Sequence, residues 1–501
     1  MATMRPKPSF PGKKAANPYL WSFTTYFTEG FPYTIIRTIS SVFFRDRGMS
    51  LESIGLTSLF GLPWILKFLW GPLVDEFGTK RKWLLITQGL LVGLILVTAI
   101  IAPLTSAPMI IAFLFFFGSF IAATHDVAID GFYLEALDKS GQAKFLGYRV
   151  MAYRIAMMTG TGVIVTIGTT KGWGWAFLSA AVIMALFFLY HLAALPRCEQ
   201  EKNPLRQLLA AIPHGRFLGV VVLAAIIVVA LRAAISSPLY NALLSASPIL
   251  KKITFPAWIG LLLFGSLLLI GANRKRIKGM ITRNPASFYA RAFYTFMDRK
   301  EIGSIIAFII LVRTGEFMLS AMASPFLVDL GIKIHYGWIS ATIGLPASIL
   351  GAMIGGWLIS RHSLKKMIWP FLLAQNLTNI VYMFLALHLN DLVRINTGNP
   401  SPLAIGAKNM LAVVLVHGFD QFSGGLGTAV LMTFLMRICL SGYKAAHYAI
   451  GTGLMSVSGL YAGVMSGFLA SWTGYGYFFG ISFLLSIPGM IMIFFIPHFE
   501  E

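Results

Sequence analysis

Residues 45–48 read Arg45-Asp46-Arg47-Gly48, and Gly61-Leu62-Pro63 follows. Further along the chain, Val328-Asp329-Leu330-Gly331 is followed by Gly344-Leu345-Pro346. The step from Asp46 to Asp329 equals the step from Gly61 to Gly344 (329 − 46 = 344 − 61 = 283). Two separate motifs held at one offset mark an internal repeat. The copies run on into GPLVDEFGTKRK (Gly71–Lys82) and GGWLISRHSLKK (Gly355–Lys366).

The repeat lies in a chain that is 57% hydrophobic and 12% charged over 501 residues. Soluble domains carry roughly 25% charged residues. The apolar residues gather in runs of roughly 20, each long enough to cross about 30 Å of hydrocarbon. Polar and apolar positions do not alternate within the runs, which excludes a membrane β-barrel. The expected class is an all-α polytopic membrane protein.

The net charge of +21 does not imply a nucleic-acid partner, because the cations occupy alternate short connections. They are Arg5, Lys7, Lys13 and Lys14; Lys80, Arg81 and Lys82; Arg274, Lys275, Arg276 and Lys278; and Arg361, Lys365, Lys366, Arg437 and Lys444. By the positive-inside rule these face the cytoplasm, as do both termini. The N-terminal segment shows no apolar core of a cleavable signal. Cys198 and Cys439 are far apart and are expected to be free thiols.

Hydropathy gives about fourteen spans. Six lie near 18–44, 54–77, 83–104, 108–135, 145–170 and 173–196, and six near 302–326, 337–360, 367–389, 409–436, 444–470 and 474–497. Two more fall near 216–236 and 255–273. The expected domains are a cytoplasmic tail 1–17, a six-helix bundle 18–199, a linker 200–300 with two extra transmembrane helices, a second six-helix bundle 301–497, and a cytoplasmic end 498–501. The basic and aromatic stretch ITRNPASFYARAFYTFMDRKE reads as an amphipathic helix on the membrane surface or as an ordinary cytoplasmic linker. Repeated six-helix halves are the pattern of a transporter whose substrate site lies between them at the midplane.

GPLVDEFGTKRK resembles the loop motif of the major facilitator superfamily, G-x-L-x-D-x-x-G followed by basic residues. Gly71, Leu73, Asp75, Gly78, Lys80 and Arg81 match it, while Glu76 stands where a basic residue is usual. The second copy keeps Gly356, Leu358 and Arg361 but has Ser360 in place of the aspartate. The resemblance implies a conformational latch at Gly71, Asp75, Gly78, Lys80, Arg81 and Arg361. YFTEGFPYTI, FFRDRGMSLESIGL, GLPWILKFLWGPLVDEFG, ATHDVAID and LGYRVMAYRIAMM resemble the AmpG muropeptide permeases and the related acetyl-CoA transporters. That family also carries two additional spans between its halves, and it usually has Gln where this chain has His125. The resemblance implies proton-driven import of anhydromuropeptides (GlcNAc-anhydroMurNAc with or without a peptide) across an inner membrane, for cell-wall recycling.

Ionisable residues inside spans are functional candidates. Glu29 lies midway along the first span, and Asp126 and Asp130 share one helix face of the fourth. Together with Glu316 they are candidates for proton coupling. Arg149 and Arg154 on the next span are either structural partners of the aspartates or contacts for substrate. Arg313 pairs with Glu316 or meets substrate carboxylates. His417, Asp420 and Gln421 share a face in the repeat counterpart of the fourth span, and their spacing supplies no third metal ligand. Arg37 and Lys67 are expected to face the interior. Tyr26, Tyr33 and Tyr153 are candidate sugar contacts beside His125, with packing as the alternative for each aromatic. No metal or cofactor is expected, and a monomer is. A carrier of another anionic or amphiphilic solute (a CoA ester, a sugar or peptide conjugate, an exported drug) is the alternative, and a non-transporting sensor is a second. Enzymatic function is not expected, since no nucleotide loop or catalytic-triad spacing occurs.

Overall fold

The computed structural model describes residues 17–207 and 294–497, apart from 68–69, 138, 200–202, 300, 400–401 and 441–443, together with single positions between 233 and 273. The tail 1–16, the two extra spans, most of the amphipathic stretch and the last four residues lie outside the described residues.

Among the described residues, twelve helical spans fall into two groups of six. The first span runs Pro18–Thr34, through a π-helical turn at Ile35–Ile39, to Ser40–Asp46. The second is assembled from Leu51–Leu56, a tight turn at Thr57–Gly61, Leu62–Leu66 and Gly71–Glu76. The third, fourth and sixth are Lys80–Ile101, Ala107–Ala136 and Trp173–Ala194. The fifth runs Lys139–Met158, Thr159–Ile164 as a π turn, and Val165–Lys171.

In the second group, Ile302–Leu311 and Thr314–Asp329 form the seventh span. Lys333–Trp338, a π turn at Ile339–Gly344 and Leu345–His362 form the eighth. Leu364–His388 and Ala407–Arg437 are the ninth and tenth, and Lys444–Ile491 holds the last two, joined at Gly474 with φ 74°. Among the described residues, eight helices are long and apolar enough to cross a membrane, with the eleventh and twelfth spans counted as one. The interrupted first and second spans and the polar-striped tenth are not among the eight.

Both Gly-Leu-Pro copies sit where an irregular turn hands over to regular α-helix. Leu62 and Pro63 start a helix after the Thr57–Gly61 turn, and Leu345 and Pro346 start one after the Ile339–Gly344 turn. Proline has no N–H for the helical ladder, so the turn before it is free to wind differently.

Helix starts are capped locally. Asn17 accepts from the Tyr19 N–H at 3.0 Å, and Thr79 accepts from the Lys82 N–H at 3.1 Å. Side chains pointing outward are apolar: Ile100 is 70% exposed, Phe117 62% and Met353 66%. Buried polar residues such as Gln88, Asn376 and Asn379 lie inside the helix packing. This inversion suits a bilayer, where lipid covers the apolar exterior and helices satisfy their own backbone groups.

The halves meet through the first and seventh, second and eleventh, and fifth and eighth spans. Glycine permits the closest approach. A Cβ on Gly467 would lie 2.3 Å from the Leu51 carbonyl oxygen and 2.9 Å from the Gly55 Cα. Between the fifth and eighth spans, a Cβ on Gly162 would lie 2.9 Å from the Ala341 Cβ, so two π-helical turns pack against each other.

Candidate transport site and the contacts between the halves

The fourth span carries Asp126 and Asp130 one turn apart, and each has its own cation. Lys67, from the second span, donates to Asp126 Oδ2 at 2.6 Å. Lys67 therefore turns toward the fourth span, with a third of its side chain still exposed (34%). Arg149, from the fifth span, lies 3.5 Å from Asp130 Oδ1 and donates to the Tyr26 hydroxyl at 2.8 Å. That hydroxyl in turn donates to Asp130 Oδ1 at 2.8 Å. The Arg149 guanidinium also stacks over the Tyr26 ring at 4.6 Å and the Tyr133 ring at 5.3 Å.

Glu29 lies within electrostatic reach of Asp126, Asp130, Lys67 and Arg149. Its Oε2 is buried and has no hydrogen-bond partner among the described residues. Among the described residues, the cluster sets three carboxyl groups against two cations. Tyr33 packs edge-on against Trp64 at 5.1 Å and tilted against Tyr153 at 6.2 Å, giving an aromatic wall next to this cluster.

Other sequence candidates are placed elsewhere. Arg37 donates to the carbonyl oxygens of Ser58 at 2.9 Å and Thr57 at 3.4 Å, and so holds the irregular turn of the second span. His125 turns to the third span, where its Nδ1 lies 2.9 Å from Thr87 Oγ1. Arg154 has no ion-pair partner among the described residues.

In the second half, Arg313 and Glu316 form a two-pronged ion pair, its Nε–Oε2 arm 2.5 Å long. His417 Nδ1 meets the Tyr382 hydroxyl at 3.0 Å, and Gln421 donates to Asp420 Oδ2 at 3.1 Å. Asp420 is buried, and Glu316 is a charge within its electrostatic reach. Among the described residues Asp420 has no ion-pair partner. No group of three His, Cys, Asp or Glu is arranged to hold a metal among those residues, and no disulfide joins Cys198 to Cys439.

The loop motif is anchored within its own half. Glu199 accepts the N–H groups of Lys80 at 2.7 Å and Arg81 at 3.2 Å. The Arg81 guanidinium donates to the carbonyl oxygens of Leu195 and Leu192, each at 3.1 Å. Gly78, with φ 70°, donates its N–H to the Asn203 carbonyl at 2.8 Å. The Asp75 side chain lies outside the described residues. Arg361 is exposed and stacks on Trp357 of its own helix at 5.5 Å.

The ion pairs that join the halves lie at the opposite end of the second span, in the motifs that revealed the repeat. Arg45 grips Asp329 with two bonds, Nε to Oδ1 at 2.7 Å and Nη2 to Oδ2 at 2.5 Å. Lys333 donates to Asp46 Oδ1 at 2.5 Å. Each aspartate also takes an aromatic donor from its own half: Tyr475 to Asp329 and Trp173 to Asp46, both at 2.7 Å. Sequence reasoning aligned Asp46 with Asp329 but did not pair them with these cations. The offset alone held the signal, since repeat mates meet when their axis passes between them.

Two packed halves with charges buried at mid-span define a membrane transporter. The chain belongs to the Major Facilitator Superfamily, which it matches over residues 22–296. It is 22% identical to the anhydromuropeptide permease of Escherichia coli strain K12, over 93% of this chain and 77% of that one. It is 24% identical to an uncharacterized protein of Haemophilus influenzae, over 95% and 94% of the two chains. It is 21% identical to putative transporter AmpG 4 of Rickettsia conorii, over 93% of each. In fold it is similar to the peptide transporter POT in complex with sulfate (TM-score 0.63, 14% identity, 97% and 95% of the chains). The nucleoside transporter NupG is also similar (TM-score 0.55, 14% identity, 95% and 99%).

Proposed function

We propose that this protein imports anhydromuropeptides from the periplasm to the cytoplasm across an inner membrane, coupled to protons, by rocking its halves about the central site. One observation carries the coupling: among the described residues Glu29 shares its surroundings with Asp126 and Asp130 and with the cations Lys67 and Arg149, and one Glu29 oxygen is buried without a donor there. Burying an unpaired charge is expensive, and a bound proton removes that cost. Movement of the proton on and off this cluster biases which side is open.

The aromatic wall of Tyr33, Trp64 and Tyr153 suits the apolar faces of sugar rings, and Arg154 is a cation for peptide carboxylates. The substrate class is supported by the named relatives, at 21–22% identity over most of the chain. Both termini face the cytoplasm in this reading, on the strength of the basic connections. The protein acts as a monomer.

The test is uptake of labelled GlcNAc-anhydroMurNAc by proteoliposomes under an imposed proton gradient. Accumulation that collapses with a protonophore is the expected result. Folded protein that ignores this substrate but carries a CoA ester or a peptide conjugate would overturn the substrate claim. Uptake indifferent to the gradient would overturn the coupling.

A further inference from the structure

At the end where the halves are pinned, a cavity of about 450 Å³ opens between the third and sixth spans. Its floor and walls are apolar: Leu96, Ile100 and Leu178, with Trp173 and Trp175 beside them. Ile100 and Trp175 are 70% and 63% exposed, so the cavity mouth faces the surface that lipid covers. Tryptophans at a span end are the signature of the interfacial layer where phospholipid headgroups lie.

Two cations complete the lining, Arg47 and Lys171, and both are exposed. Arg47 is steadied by one bond from Nη2 to the Ala102 carbonyl oxygen at 2.5 Å, at the end of the third span. The guanidinium also lies over the Phe43 ring, 5.9 Å from its centroid. Lys171 ends the fifth span and has no ion-pair partner among the described residues. Asp46, next to Arg47 in the chain, is already held by Lys333 and Trp173.

We infer that this cavity is a binding site for an anionic phospholipid, with the phosphodiester between Arg47 and Lys171 and an acyl chain along Leu96, Ile100 and Leu178. Arginine and lysine hold phosphate oxygens through charge-assisted hydrogen bonds. The volume accommodates a headgroup and its glycerol but not a whole lipid, which fits a site open to the bilayer. The site also touches the inter-half contacts, since Trp173 lines the cavity and donates to Asp46. An occupied site therefore favours the state in which this end is closed.

The test requires no transport and is independent of the substrate. Full-length protein is placed in nanodiscs of phosphatidylcholine alone or with phosphatidylglycerol, and its melting temperature and retained lipid are measured. Phosphatidylglycerol is expected to raise the melting temperature, and native mass spectrometry is expected to find one anionic lipid fewer on R47Q/K171E than on the parent. The melting temperature of K171E alone in phosphatidylcholine is expected to match the parent's. Should the double variant not fold, K171E alone, altered at an exposed side chain, gives the same comparison. An equal phosphatidylglycerol effect in parent and variant would overturn the site. Inorganic phosphate reproducing the full effect in phosphatidylcholine would overturn the lipid and leave a free-anion site.

Discussion

Ser41 and Ser324 are the same position in the two copies of the repeat, and their hydroxyl oxygens lie 2.9 Å apart. The axis relating the halves therefore passes between them. Around it, Arg45 holds Asp329 and Lys333 holds Asp46, so each repeat-mate aspartate is neutralised by the opposite half. The aspartates are duplicated but their cations are not: at the 283-residue offset Arg45 stands opposite Val328, and Lys333 opposite Ser50.

Asp329→Ala strands Arg45 in a largely buried position, with side-chain exposure of 12% for Arg45 and 5% for Asp329. Removing one partner of a buried pair costs about 3–5 kcal/mol, much of it from the charge left behind. The variant is expected to open at this end, read as faster thiol labelling of a cysteine placed at Ser324. The double variant R45M/D329L is expected to recover most of the melting temperature. Labelling of D329A at the parental rate would show that the pair does not hold this end shut.

Asp126→Asn and Asp130→Asn are expected to abolish accumulation driven by a proton gradient while expression stays near normal. Substrate exchange down no gradient is expected to persist, because exchange does not require the proton to leave. Lys67→Met leaves Asp126 without its cation, and K67M/D126N is expected to be better folded than K67M. Proteoliposome uptake and counterflow separate the two activities, and parental accumulation in both aspartate variants would make the pair structural.

Glu199 gives a pH test outside the membrane. Burial pushes its carboxyl above the usual glutamate range, against the opposing pull of the Lys80 and Arg81 amides. A carboxyl raised in the folded state contributes stability that is full below its unfolded pKa and is lost as pH rises through the folded value. Glu199→Gln removes this titration. Its melting temperature is expected to fall less than the parent's as pH rises from the acid range toward neutrality, as differential scanning fluorimetry can measure.

Gly351 and Gly356 stand on one helix with opposite surroundings. A Cβ on Gly351 would lie 2.0 Å from the Phe422 carbonyl oxygen, whereas one on Gly356 meets nothing within 4 Å. Overpacking costs about 1–3 kcal/mol, while Gly to Ala in an open helix interior gains up to about 1 kcal/mol. G351A is expected to melt well below the parent and G356A at or slightly above it.

The fold was largely legible in the chain. Apolar run length marked the spans, the 283-residue offset marked the halves, and both Gly-Leu-Pro copies fell at irregular turns, where a proline in the first helical turn leaves the preceding residues without its N–H. Part of the site was legible too. Asp126 with Asp130, and Arg313 with Glu316, are one turn apart, so helical spacing places each pair together without tertiary information.

Partners far apart in sequence could not be read this way. Lys67 with Asp126, Tyr26 between Arg149 and Asp130, and Arg45 with Asp329 depend on which helix faces which. Arg37 and His125 looked equally functional in sequence, and packing turned one to a helix turn and the other to Thr87. The sequence by itself determined which residues are polar in an apolar environment, because hydropathy and helical period are local. Only the tertiary structure decided which of those groups neutralise one another and which oxygen stays unpaired, because electrostatic balance depends on distances between helices.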